Sequence, residues 1–428
     1  MKKQLIAIAG LAILSTPAMA TKARMIALGE NINDNIGSLY FSDSRNIFQN
    51  AAYANDYKDM VIMEWGASSV SATSGAKSDT DTSPQAEGGF LKSHGNYVYG
   101  LYLGAESPYT NDIRTYSRLI RNSDFHQDNQ LDAFFAGESS ALGKWGVNVT
   151  YSTSKNEETG VDAKQQSASL RLGMIKNKLE AFANIALINE AKIDSLGVGA
   201  TPNGGTDEFK GRRGFELGAT YDLEVAKVFG YVRHATWRSD TDSVIDADPG
   251  APVVPITAYT GKFDGTYWLY QVGAGREYKV NDKATIFTKL EYLNFMRKVE
   301  TASGTRNGEE INLDDYRVPA TIGLEYDAAS WLVVRGSVVS NLISGVDNDY
   351  DGDANQAAIS PGVLGLRRPG KRTVANSTNV NAGMTLRFGE LSLDGVIGTD
   401  GANNSTANEK GVLTLDNLAS RVAMTYKF

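Results

Sequence analysis

The sequence has no cysteine and only 3 histidines among its 428 residues. The absence of cysteine excludes a disulfide scaffold, a thiol nucleophile and a thiolate metal site. The scattered histidines, His94, His126 and His234, argue against a poly-histidine metal centre. A basic excess is also missing, since the formal net charge is −8. Nucleic acid is therefore not expected as the main partner, because phosphate binding needs a basic surface.

Long apolar runs are confined to the N-terminus. Lys2 and Lys3 precede an apolar stretch over residues 5–14, and Ala18-Met19-Ala20 resembles a cleavage site. This pattern predicts a cleaved secretory signal peptide over residues 1–20, and Thr21 in place of cysteine argues against a lipoprotein. No later stretch is long enough for a transmembrane helix, which needs about 18 or more apolar residues. The exported chain is then either soluble or a membrane-spanning β-barrel.

Alternation with period two runs through most of the remaining sequence. Over residues 312–326, apolar or aromatic side chains from Tyr316 to Tyr326 alternate with a second face that includes Arg317 and Glu325. Such alternation predicts strands with one apolar and one polar face. Many of these strands are about 10 residues or longer, as membrane-spanning strands are.

The connections alternate between short and long. Short turns include residues 95–96, 176–178, 281–283 and 389–390, and longer polar loops include 106–128, 191–211, 239–264 and 344–375. Short turns at one rim and long loops at the other are typical of outer-membrane barrels. The sequence therefore predicts an all-β, transmembrane antiparallel barrel of about 16 strands, with short periplasmic turns and long extracellular loops.

The predicted barrel covers residues 59–428 and follows an N-terminal segment, residues 21–58. That segment is too mixed for a simple strand, and both a periplasmic segment without transport function and a small plug remain open. The chain ends on alternating apolar residues that include Tyr426 and Phe428. This ending resembles the C-terminal signal that outer-membrane barrels present to their assembly machinery.

The polar faces predict a wet lumen, because burying so many charges in a dry interior would be costly. A barrel of about 16 strands is wide enough for an aqueous channel. The candidate pore-lining residues are Arg171, Arg233, Lys289, Arg317, Arg335, Arg387 and Arg421. Arg317, Arg335, Arg387 and Arg421 form either a basic strip or four independent ion pairs.

Two loops are candidates for folding into the lumen or for contacting another subunit. The first is residues 239–264, in which prolines follow an acidic group; that group is Asp240, Asp242, Asp246 and Asp248. Residues 106–128 are the next candidate.

A further acidic stretch matches the first half of a calcium-binding loop. Its candidate ligands are Asp347, Asp349, Asp351 and Asp353, although Ala358 stands where the closing glutamate would be. An acidic surface loop that contacts cations bridging lipopolysaccharide is the alternative. No catalytic set emerges, so the chain is not expected to be an enzyme: no serine lies in a G-x-S-x-G elbow, and His234 next to Arg233 suits an interface or lipid rim.

The signal peptide, strand number, rim asymmetry and terminal Phe428 resemble those of general bacterial porins. That resemblance implies a homotrimer in outer-membrane lipid and lipopolysaccharide, passive diffusion of small hydrophilic solutes and ions, and no cofactor. The N-terminal stretch, with Ala27-Leu28-Gly29 and Asn46-Ile47-Phe48-Gln49-Asn50-Ala51, looks like the start of long-chain fatty-acid transporter barrels. Those barrels carry an Asn-Pro-Ala plug motif, and here Ala51 replaces the proline.

The main functional prediction is a water-filled diffusion channel in the outer membrane. The first alternative is a plugged barrel that takes up hydrophobic compounds. The second is a structural or adhesive surface barrel whose loops are its function. The position of residues 21–58, inside or outside the lumen, discriminates between the first two.

Overall fold

The protein folds as one closed antiparallel β-barrel around an N-terminal segment. This computed structural model describes residues 21–30, 37–66, 85–105, 107, 110, 113–114, 127, 129–158, 161–195, 205–244, 258–304, 308, 310–351, 370–373, 378–399 and 421–428. Neighbouring strands in the sequence pair in order, and β1 (Met60–Gly66) pairs with the last strand, β17 (Arg421–Lys427), to close the sheet.

The other strands are β2 Gln85–His94, β3 Tyr97–Leu103, β4 Leu131–Ser139, β5 Gly143–Glu158, β6 Val161–Lys176, β7 Leu179–Ser195, β8 Gly205–Asp222, β9 Lys227–Val244, β10 Ala258–Lys279, β11 Ala284–Gly304, β12 Glu310–Ala329, β13 Leu332–Asp351, β14 Gly370–Thr373, β15 Asn379–Phe388 and β16 Leu391–Thr399. β14 is a strand of four residues that pairs with β13 beyond the part of β13 that pairs with β15. β14 and β15 therefore share one position in the wall, and the barrel has the predicted 16 strands.

The outer face of the wall is apolar. Along β3, Tyr97, Tyr99, Leu101 and Leu103 are exposed and alternate with buried residues. Exposed leucines, valines and aromatic side chains continue around the strands. An apolar outer band suits hydrocarbon, and a closed sheet leaves no unpaired edge in it. Among the described residues, no helix is both long enough and apolar enough to cross a bilayer.

Several strands extend further toward the loop rim than the sequence predicts. The predicted loop 239–264 is wrong in its bounds, since β9 runs to Val244 and β10 begins at Ala258. Asp240 and Asp242 therefore lie on β9, paired with Lys262 and Thr260 of β10, whereas Asp246 and Asp248 lie outside the described residues. Backbone pairing continues here after the apolar alternation has ended, which is why the sequence pattern places the loop too early.

The acidic stretch predicted to form a calcium loop is also mostly strand. Asp347, Asp349 and Asp351 belong to β13, whose ladder pairs them with β12. An extended, paired backbone cannot wrap around a cation as a calcium loop does. Asp347 forms an ion pair with Lys371, and Asp353 lies outside the described residues.

The N-terminal residues 21–58 form three short helical pieces, each begun by a polar cap. Helix α1 (Lys22–Ala27) is capped by Thr21, whose hydroxyl accepts a hydrogen bond from the Arg24 amide. Two 3₁₀ helices, Ser44–Phe48 and Ala51–Asn55, are capped in the same way by Asp43 and Asn50. We call the described residues of this stretch, 21–30 and 37–58, the inner segment.

Candidate functional site

The inner segment lies inside the barrel and contacts strands on all sides. Thr21 donates a hydrogen bond to Asp394 on β16, and Tyr53 donates one to Glu180 on β7. Glu30 is ion-paired with Lys289 on β11, and Lys22 with Glu87 on β2. Asp394, Glu180 and Lys289 lie near the ends of their strands that join the short turns. The inner segment therefore occupies the turn-side part of the lumen along these strands.

Glycines in the wall allow the inner segment to approach closely. A Cβ at Gly146 would overlap the carbonyl of Ala51, and one at Gly173 would overlap the side chain of Asn50. The Asn55 side chain, a few residues on, donates a hydrogen bond of 3.1 Å to the carbonyl of Trp145. The backbone of the inner segment therefore packs directly against the backbone of β5 and β6.

Three buried ionic clusters join the inner segment to the wall. In the first, Arg45 pairs with Glu87 at 2.9 Å, and Lys22 pairs with the same carboxylate at 2.7 Å. In the second, Lys289 lies between Glu30 at 3.0 Å and Glu291 at 2.9 Å. Buried ion pairs contribute little net stability, but losing one partner leaves an uncompensated buried charge.

The third cluster is the largest and spans three strands. Glu325 on β12 accepts hydrogen bonds from Arg24 of the inner segment, at 2.9 Å, and from Arg335 of β13. Arg335 also forms an ion pair of 3.2 Å with Asp394 on β16. Arg24 continues to Asp43 at 3.2 Å, and burial raises the pKa of that carboxyl to about 6 although Arg24 opposes the shift. These contacts fix the position of the inner segment relative to the wall.

Buried apolar side chains cluster on the inward face of β7–β12, among buried polar ones such as Gln271 and Thr301. Large apolar side chains there form one cluster with Met25, Leu28, Tyr40 and Phe41 of the inner segment. The wall side chains of this cluster include Phe182, Phe209, Phe229, Tyr231, Trp237, Phe263, Tyr267, Leu269, Phe287 and Leu293. Phe229 and Trp237 are eight positions apart on β9, which corresponds to roughly 26 Å of strand. The apolar lining, which we call the apolar wall, therefore extends through much of the barrel's height.

A polar row crosses the inward face and interrupts the apolar wall on β7 to β9. Successive register partners on β5 to β9 carry polar inward side chains; these are Asn148, Arg171, Asn184, Glu216 and Arg233. Arg233 pairs with Glu216 at 2.7 Å, and Arg171 pairs with Asp132 of β4 at 2.8 Å. The charges of the row are thus neutralised within the wall.

The ladder between β7 and β8 is interrupted next to this row. Pairing stops after Ile185 with Phe215 and resumes at Glu190 with Lys210, so residues 186–189 and 211–214 have no register partners across this seam. The register also shifts beside it, between Ala168 and Ser169 on β6 and between Gly211 and Arg213 on β8. Irregularities of this kind bend strands and re-aim side chains.

A cavity of about 70 Å³ lies at this interruption. Its lining combines buried inward residues, such as Arg171 and Phe209, with Leu187 and Ile188, which are exposed on the outer face. The cavity therefore lies within the wall itself, between the interior and the outer surface.

Part of the loop 106–128 covers the inner side of the cavity. Arg114 is buried and donates hydrogen bonds of 2.9 Å to both Asn189 and Gln165. Gln127 donates one of 2.7 Å to Ser167. The described residues of this loop fold inward, as the second loop candidate predicted.

Four of the seven predicted pore-lining residues lie buried inside the barrel. Arg171, Arg233, Lys289 and Arg335 are all buried and ion-paired. A wet lumen therefore finds no support at these four positions. Acids of the barrel strands, such as Asp132 and Glu216, pair with the arginines, and Glu30 of the inner segment pairs with Lys289.

Three of the four arginines of the predicted basic strip form ion pairs with acids of the strands. Arg317 pairs with Asp315, Arg335 with Glu325 and Asp394, and Arg387 with Asp327. Register places Arg335 opposite Glu325, eight positions along β12 from Arg317. Arg421 is the first residue of β17.

The two residues predicted as an assembly signal lie at the turn rim. Tyr426 is exposed on the outer face, and the Phe428 amide donates a hydrogen bond of 3.0 Å to the carbonyl of Asp59. The last residue is thereby tied to the start of β1.

No protein-family model matches the chain, and no curated protein matches its sequence. Among solved structures, the toluene transporter TbuX of Ralstonia pickettii is 11% identical, with a TM-score of 0.42, over 97% of this chain and 99% of that one. The toluene transporter TodX of Pseudomonas putida is 10% identical, with a TM-score of 0.38, over 96% and 98%. The siderophore receptor PiuA of Acinetobacter baumannii is 11% identical, with a TM-score of 0.40, over 79% and 56%. These likenesses say nothing about what this chain binds.

Proposed function

We propose that this protein is an outer-membrane channel for small apolar compounds. The observation that carries the proposal is the apolar wall, which joins the inner segment to the upper part of the lumen. Transfer of an apolar solute from water into such surroundings gains about 25 cal/mol for each Å² of apolar surface buried. A hydrated ion or sugar gains nothing there and loses hydrogen bonds to water.

The inner segment closes the turn-side half of the lumen in this account. Its three ionic clusters and its close contact with Gly146 and Gly173 hold it against the wall. A solute that enters from the loop side is therefore blocked by the inner segment before it reaches the short turns. The interruption between β7 and β8 offers a way out through the wall, toward lipid.

Uptake by whole cells tests the proposal. Cells that lack their own porins would express this protein, and the entry of labelled ethylbenzene and labelled sucrose would be compared with that in cells carrying an empty vector. We expect faster entry of ethylbenzene and unchanged entry of sucrose. Faster entry of sucrose would support the water-filled channel instead, and no change in either would favour a barrel that serves only to display its loops.

A further inference from the structure

Three unpaired polar atoms line the cavity at the interruption between β7 and β8. Arg171 Nε, Gln130 Oε1 and Asn184 Oδ1 are buried, and none has a hydrogen-bond partner within the part of the chain that the structure describes. All three residues line the cavity. Buried polar atoms in native proteins are almost always paired, so three around one cavity point to a ligand that pairs them.

Strand register and hydrogen bonds link the three residues that carry these atoms. Arg171 and Asn184 are register partners on β6 and β7. Arg171 and Gln130 both donate to Asp132, at 2.8 and 2.7 Å. The cavity of about 70 Å³ exceeds the roughly 30 Å³ that a water molecule takes up in the liquid, so it can admit a polar group with part of its attached body.

The unpaired atoms define the chemistry of the group they fit. Arg171 offers one N–H, whereas Gln130 offers an oxygen because its amide nitrogen is already bonded to Asp132. Asn184 offers a second oxygen. A hydroxyl accepts from the N–H and donates to an amide oxygen, so it pairs with both kinds of atom.

A carboxylate fits this cavity poorly. The charge of Arg171 is already balanced by Asp132. Of the two other arginines that line the cavity, Arg212 pairs with Asp264, and Arg213 is exposed. A second anion would lie beside Asp132 and would meet two oxygens that can only accept hydrogen bonds. A plain hydrocarbon would leave all three atoms unpaired.

Apolar residues border the polar atoms on the side of the lumen. Ile113 and Phe209 line the cavity and also belong to the apolar wall cluster. A molecule with a hydroxyl at one end can thus place its apolar body against these side chains. We propose that the cavity is a binding site for neutral apolar alcohols or phenols, a proposal that rests on the proposed function and specifies its substrate class.

Three probes with one apolar body test this assignment. 4-(Trifluoromethyl)phenol, 4-(trifluoromethyl)toluene and 4-(trifluoromethyl)benzoate differ in a single group, and fluorine NMR would measure their binding to the full chain in micelles. Empty micelles correct for partitioning into detergent. We expect the phenol to bind about three- to ten-fold more tightly than the toluene, the effect of one added hydrogen bond, and the benzoate to bind most weakly.

Asn184→Leu locates the preference at this cavity. Asn184→Leu removes one of the two acceptors, and adding Gln130→Leu removes the other. Neither change removes Arg171 or Asp132, so the phenol should lose most of its advantage over the toluene in the double variant. Asn381→Leu, an inward asparagine on β15 across the barrel, is the matched control and should keep the advantage.

The outcomes separate the two proposals. Equal binding of the phenol and the toluene, tightest binding of the benzoate, or a preference unchanged by the double variant Gln130→Leu/Asn184→Leu would overturn the hydroxyl site and leave the apolar channel standing. Binding of none of the three would contradict the channel as well. The ranking of the three probes is measured on the native chain, so it tests the hydroxyl site even if the variants do not fold.

Discussion

Gly146 on β5 and Gly173 on β6 are register partners, and both lie against the backbone of residues 50–52 of the inner segment. A Cβ on Gly146 would lie 2.7 Å from the amide nitrogen of Ala52, and one on Gly173 would lie 2.7 Å from that of Ala51. This pair of glycines therefore forms the surface of the wall against which the turn between the two 3₁₀ helices packs.

Gly173→Val should displace the inner segment, because backbone atoms on both sides of the contact cannot move apart without breaking the ladder or the turn. We expect ion-conducting steps in planar bilayers that the native protein does not show. Gly395→Val is the matched control, since a Cβ there meets nothing within 4 Å. If neither variant conducts ions, the contact of these glycines with the inner segment is not what keeps the lumen closed.

The cluster around Arg335 should be sensitive to the loss of its cation. Arg335→Met would leave Glu325 and Asp394 with a missing partner in a buried site, at a cost of about 3–5 kcal/mol in the free energy of unfolding. Denaturant unfolding in detergent, followed by mobility on unheated gels, measures the change. Lys155→Met, which breaks the exposed pair with Glu157, should have no measurable effect. Equal small effects of both variants would contradict the role given to the cluster.

The interruption between β7 and β8 can be closed by an engineered disulfide. Because the chain has no native cysteine, no competing disulfide can form within it. A Cβ on Gly214 would lie 3.0 Å from the Cβ of Ala186, near the separation that a disulfide needs after a small adjustment. The double variant Ala186→Cys/Gly214→Cys should slow ethylbenzene uptake when oxidised and recover when reduced.

The control for this crosslink lies on the same two strands. Ala181 and Ala219 are register partners where the ladder is regular, and Ala181→Cys/Ala219→Cys should leave uptake unchanged in either redox state. Uptake that is insensitive to both crosslinks would place the exit elsewhere.

Much of the barrel could be predicted from its sequence. The period-two alternation from Tyr316 to Tyr326 marks β12, and short turns such as that after Phe388 mark the ends of the strands. The apolar face of each strand meets one uniform environment, hydrocarbon, so the pattern is strong. It fades toward the loop rim, where β9 and β10 remain paired outside the apolar pattern.

The interior could be predicted only in part. The pattern places Arg171 and Arg233 on the inward face, but it does not show that Asp132 and Glu216 neutralise them, because that depends on register between strands. Glycines such as Gly173 look like ordinary strand glycines until the inner segment is seen beside them. The interruption at residues 186–189 has no sequence mark of its own, since its apolar residues fit a continuous strand.

The current through a planar bilayer under a KCl gradient tests the central claim most directly, when the intact chain is compared with a chain that lacks residues 21–58. Insertion of both would be checked by heat-dependent gel mobility. The account predicts silence from the intact chain and large, steady, ohmic steps from the shortened one. Ohmic steps from the intact chain would contradict a closed lumen, and silence from both would show that the inner segment is not what closes it.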